Sequence, residues 1–107
     1  MTTGMDDRRK AFEDKFAHDA DLRFRATARR NKLLGLWAAE RLGKKGADAD
    51  AYARDVVAAD LEEAGDEDVF RKIRADFDAA GVSETDAAIR ERMISFLEEA
   101  VRQINQD

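Results

Sequence analysis

Apolar positions recur every three or four residues along most of this chain, and no useful stretch alternates with period two. In VFRKIRADFDAA, Phe70, Ile73, Phe77 and Ala80 fall on one stripe. In AAIRERMISFLEEAVRQI the stripe runs through Ile89, Met93, Phe96, Ala100 and Ile104, widened by Leu97 and Val101. AYARDVVAADLEEA has a broader face of small residues around Tyr52, Ala53, Val56, Val57 and Leu61. Such spacing predicts amphipathic helices. Gly43, Gly46, Gly65 and Gly81 sit where these patterns stop, as glycines beyond helix C-termini do. After them come candidate N-caps: Asp48 or Asp50, then Asp66, then Ser83, the last with Asp86 three residues on and Val82 as a staple. The predicted helices span about 21–42, 48–64, 66–80 and 83–105. Short connections between four such helices predict an all-α, up-and-down four-helix bundle over 21–107.

The first of these helices differs from the rest. Phe24, Ala28, Asn31, Leu34, Ala38 and Leu42 form one stripe, and Leu22, Ala26, Leu33 and Trp37 form a second. Arg25, Arg29 and Lys32 fill one flank between them, and Arg23, Arg30 and Arg41 fill the other. Two stripes suit a central bundle helix touching two neighbours. The other reading is that one stripe, with Trp37, faces a ligand or partner. Upstream the pattern thins. Phe12 and Phe16 pair at helical spacing, but their neighbours are charged residues or alanine. A helix that short is marginal in water unless it docks. Residues 1–20 are therefore expected to be a mobile, latently helical segment, with a break near His18–Asp21 where Asp19 or Asp21 caps a new helix.

Charge sharpens this picture. Residues 1–46 carry 12 Lys/Arg against 7 Asp/Glu, whereas 47–107 carry 7 against 17. Eight basic residues and a single acid, Glu40, lie within 23–45. The split fits either a basic binding surface or a basic helix packed beside acidic ones. Charged residues make up 40% of the 107 positions and proline is absent, which favours helix throughout. The length suggests a single domain with a modest core. No run approaches a membrane span, and MTTGMDDRRK leads into charge rather than an apolar signal region. With no cysteine, the expectation is a soluble, cytoplasmic chain without disulfides or thiolate metal sites.

Chemistry-bearing residues are sparse. There are two serines, Ser83 and Ser95, and one histidine, His18, in the least structured stretch. A calcium loop counted from Asp48 fails at Tyr52, Ala53 and Ala59. GKKG is too short for a phosphate loop. These absences argue against an enzyme and leave binding. RFRATARRNK is suited to gripping phosphates, but the acidic remainder would repel a long nucleic acid. A mononucleotide demands less. Arg29, Arg30, Asn31 and Lys32 offer donors near Trp37, whose ring suits stacking on a base.

The segment AFEDKFAHDADLRFRATARRNKLLGLWAAERLG resembles the zeta subunit of alphaproteobacterial F-type ATP synthases, an inhibitor of the catalytic head. The residues that carry the resemblance are Phe12, Lys15, Phe16, Ala17, His18 and Asp19, then Leu22 and Phe24, then ARRNKLLGLWAA, then Leu42 and Gly43. The likeness extends less distinctively over the rest. It implies a four-helix bundle preceded by an inhibitory segment that inserts between alpha and beta subunits near gamma and blocks rotation in the hydrolytic direction. It also implies an adenine-nucleotide site on the bundle, with ADP or ATP as a regulatory ligand and no required cofactor.

The resemblance explains why the front end fits no core: it belongs to a partner. Phe12 and Phe16 would be the apolar anchors. Asp6, Asp7, Arg8, Arg9, Lys10, Glu13 and Lys15 would set register by charge pairing, with His18 at the end of the segment. The chain is expected to be a monomer, peripheral to the membrane through the ATP synthase, binding no nucleic acid. The alternative is a helical bundle or adaptor whose main role is nucleotide sensing.

Overall fold

A computed structural model describes residues 19–60 and 66–106 of the chain. Among these residues four helices form a bundle: α1 (Ala20–Arg41), α2 (Ala47–Ala59), α3 (Glu67–Ala80) and α4 (Asp86–Gln106). The fold is all-α, as the periodicity predicts. Cross-helix contacts give the directions. Gly35 of α1 meets Ala53 and Val56 of α2. Tyr52 bonds Asp76 of α3, Glu67 meets Arg90 and Arg74 meets Asp86, and Arg41 meets Glu84 just before α4. Each neighbour therefore runs antiparallel to the next, up-down-up-down. Helix α1 packs chiefly on α2 and α4, as its two stripes require.

The core contains Leu34, Ala38, Ala39, Tyr52, Val56, Val69, Phe70, Ile73, Phe77, Ile89 and Met93, with Trp37 packed against it. Trp37 meets Phe77 edge-on, ring centroids 5.6 Å apart. Gly35 makes close α1–α2 packing feasible: a Cβ there would stand 2.7 Å from the Ala53 Cα.

Helix ends depart from the expectations. Asp19 caps α1, accepting from the Leu22 N–H at 2.9 Å. Neither Asp48 nor Asp50 caps α2. Gly46 occupies that position without a side-chain bond, and the two aspartates lie in the first turn, where their charge favours the helix dipole. Asp66 occupies the N-cap of α3 but makes no capping bond, because its carboxylate is turned to Arg30. Ser83 does not cap α4. The Thr85 hydroxyl accepts from the Ala88 N–H at 3.0 Å, so α4 begins at Asp86. The C-terminal signals hold at Gly43 and Gly81, with φ of 79° and 72°. Lys44 N–H reaches the Ala39 carbonyl and Val82 N–H the Phe77 carbonyl, both at 2.9 Å. These are six-to-one closures that glycine permits.

Candidate functional site

Helices α1 and α4, with 22 and 21 residues, are longer than α2 and α3, with 13 and 14. At 1.5 Å per residue the long pair exceeds the short one by roughly 10 Å. This excess forms a two-helix extension with its own small apolar cluster: Leu22, Ala26, Val101 and Ile104, with Leu97 against it. Under the extension, where α2 ends, lies a cleft of about 510 Å³. Phe24, Ala28, Leu97 and Val57 give it an apolar wall, and Arg30, Asn31, Asp60 and Asp66 a polar floor.

Phe24, expected in an interhelical stripe with Ala28 and Leu34, is 69% exposed. The stripe is real, but α2 ends at Ala59, near the level of Asn31, and the described residues leave Phe24 at its upper end uncovered. The floor is more ordered. Arg30 is 2% exposed and ion-paired to Asp66 at 2.7 Å, while Asp66 is 56% exposed. The Arg30 Nε donates to the Asn31 Oδ1 at 2.8 Å. Asn31 is 1% exposed. Its amide leans near enough to Asp60 to favour the charged carboxylate, but not in bonding geometry, so its Nδ2 has no hydrogen-bond partner. Burial outweighs that help and the attraction of Arg30, and pushes the Asp60 carboxyl above its ordinary value.

A second recess of about 390 Å³ lies between α1 and α4, lined by Trp37, Arg41, Glu84, Ala88, Glu91, Arg92 and Ser95. The Arg92 guanidinium stands 5.5 Å from the centroid of the Trp37 ring. On the α2–α3 side, burial and the bond to Asp76 hold the Tyr52 phenol far above its usual range. The bond is 2.7 Å long, and the Lys72 ammonium lies over the same ring, 5.1 Å from its centroid.

Of the residues expected to bind a nucleotide, Arg30 and Asn31 share the first cleft and Trp37 lines the second recess. Arg29 is half-buried and Lys32 exposed. Asp6, Asp7, Arg8, Arg9, Lys10, Phe12, Glu13, Lys15, Phe16 and His18 lie outside the described residues. Sequence reading missed Asp60 and Asp66 as partners of the Arg30–Asn31 pair. One signal was present: Asn31, set between Ala28 and Leu34 on an otherwise apolar stripe with Arg30 beside it.

The bundle also accounts for part of the charge asymmetry. Arg30 and Arg41, from the basic half, pair with Asp66 and Glu84 of the acidic half. Among the described residues no helix is long and apolar enough to cross a membrane.

The profile of one protein family, ATPase inhibitor subunit zeta, matches residues 1–103. No curated protein matches the chain. A protein solved by solution NMR is similar to it, at 47% identity and a TM-score of 0.71, over 79% of this chain and 96% of that one. The family match runs through the signature at 12–43 and on through the four helices, almost to the end of α4. The chain belongs to the ATPase inhibitor subunit zeta family.

Proposed function

We propose that the chain inhibits ATP hydrolysis by an F-type ATP synthase through residues 1–20, which insert between alpha and beta subunits of the catalytic head near gamma. The observation that carries the reading is the family match over residues 1–103, which takes in the charged segment with Phe12 and Phe16 as well as the bundle. Phe12 and Phe16 anchor the segment in the enzyme, and Asp6, Asp7, Arg8, Arg9, Lys10, Glu13 and Lys15 fix its register, with His18 at its end. Ordering such a segment on binding costs about 2–5 kcal/mol of the gross contact energy, which keeps inhibition reversible. The protein acts as a cytoplasmic monomer held near the membrane by the enzyme.

The test is ATP hydrolysis by the cognate ATPase stripped of this subunit, with the full chain or its Phe12→Ala/Phe16→Ala variant added back. The native chain inhibits, and the variant loses at least about tenfold in potency, because buried aromatic anchors dominate interfaces. Equal potency would sink the anchor assignment. A chain beginning at Asp19 keeps the α1 cap and should not inhibit; inhibition by it would move the active surface onto the bundle.

A regulatory adenine-nucleotide site on the bundle is the second reading. What favours it is the second recess, where the Trp37 ring lies beside the guanidinium groups of Arg41 and Arg92. Titrating ATP or ADP while following amide resonances tests it. Shifts at Trp37, Arg41 and Arg92 place the nucleotide there, and shifts at Arg29–Lys32 place it at the first cleft. The absence of both removes the site.

A further inference from the structure

The first cleft carries features the bundle leaves unused. Phe24 stands on its wall 69% exposed. Among the described residues the Asn31 Nδ2, buried in its floor beside Asp60, has no hydrogen-bond partner, although a buried donor without an acceptor is costly enough that few are left so. The wall begins at Ala20, the first residue of α1. The backbone of Asp19 is extended, with φ −112° and ψ 97°, as that of an N-cap residue is.

We propose that residues 12–16 of the same chain dock in this cleft, with Phe12 and Phe16 against Phe24, Ala28 and Leu97 and a backbone carbonyl of the segment accepting the Asn31 hydrogen. Reach permits it. Phe16 lies four residues before Ala20, about 13 Å of extended chain, while the lining from Ala20 to Asn31 spans about 16 Å of helix. A cleft of about 510 Å³ lies in the range that accepts a drug-sized ligand, with room for two aromatic side chains. Charge agrees as well. Arg23 on the lining faces a segment containing Glu13 and Asp14, and Asp60 and Asp66 suit Lys15.

Docking goes beyond the inhibitory reading. Only its consequence rests on that reading: the cleft and the enzyme compete for the same two phenylalanines, so the bundle holds its inhibitor in reserve. The docking is tested without the enzyme, and its failure leaves the inhibitory reading untouched.

The chain has no cysteine, so a nitroxide on Ala11→Cys in the full-length protein reports from one place. In the native background the Asn31 side-chain amide and the Val57 and Leu97 methyl resonances lose more than half their intensity. The amides of Lys44 and Val82, at the opposite end of the bundle beside the Arg41–Glu84 pair, keep theirs. Phe12→Ala/Phe16→Ala and Ala28→Glu each restore the lost intensity. Phe24→Ala, at a side chain too exposed to support the fold, reduces the loss at least twofold and keeps the test readable if Ala28→Glu unfolds. Uniform or absent broadening in the native background would overturn the proposal. So would selective broadening that survives the double phenylalanine change, since another part of the chain would then be holding the label there.

Discussion

Arg30 shows how one side chain can be structural and still shape a site. Its guanidinium is buried and its carboxylate partner, Asp66, stands half in water. Asp66→Ala would strand that charge. Because Asp66 is solvated, the expected cost is about 2 kcal/mol rather than the larger loss of a fully buried pair, read as a lower chemical-denaturation midpoint. Arg30→Met leaves no unpaired charge but takes the donor from the buried Asn31 Oδ1, so it should cost about as much as Asp66→Ala; a clearly smaller loss would show that the pair itself is net destabilising. Asp60 gives a pH signature. Its raised value means that the folded state holds the proton more tightly than the unfolded chain. Its contribution to stability therefore falls as pH rises from the ordinary carboxylate value of 3.8 through the raised one. Asp60→Asn should raise Tm at pH 7 and leave it unchanged near pH 3. A lower Tm at pH 7 would mean that attraction to Arg30 outweighs burial.

At the scale of helices, existence and faces were legible because burial imposes the 3.6-residue period directly on the sequence. Leu34, Ile73, Phe77, Ile89 and Ala100, all on the expected stripes, are fully buried. Ends were less legible, since aspartate has several uses near an N-terminus. Asp19 caps, Asp48 and Asp50 sit in the first turn, and Asp66 serves a distant arginine; only the three-dimensional neighbours decide among these. The cleft was not legible at all. It arises because α2 ends too early to cover Phe24, a matter of relative length and register between two helices. Gly35 was hidden for a similar reason, since in LLGLW it reads as an interruption of an apolar run. Helix propensity alone favours Gly35→Ala by about 1 kcal/mol. The new Cβ, however, would press on the Ala53 backbone at 2.7 Å, a contact that a side-chain rotation cannot relieve. Overpacking of this kind costs about 1–3 kcal/mol. The expected outcome is net destabilisation in thermal unfolding, and a stabilised variant would show that α1 and α2 separate freely.

Across the whole molecule, the two apolar clusters divide the bundle into a firm body and a lighter extension. The body cluster draws on all four helices, whereas the extension joins only α1 and α4 through Leu22, Ala26, Val101 and Ile104. Regions with few buried apolar contacts open at lower free energy than the core, so amides near Ala26 and Val101 should exchange hydrogen faster than those near Ile73 and Val56. Ile104→Ala isolates the effect. Among the described residues Ile104 is buried and belongs to the small cluster, so truncating it costs about 2 kcal/mol or somewhat more, and that loss should fall on the extension. Exchange at residues 22–26 should speed up at least tenfold while Ile73 and Val56 exchange as before. Uniform acceleration would mean that the two clusters open together as one cooperative unit. On the proposed function the difference matters, because the first turns of α1 join the inhibitory segment to the body. A connection that opens locally lets residues 1–20 reorient toward the enzyme while Phe77, Ile73 and Leu34 keep the four helices assembled.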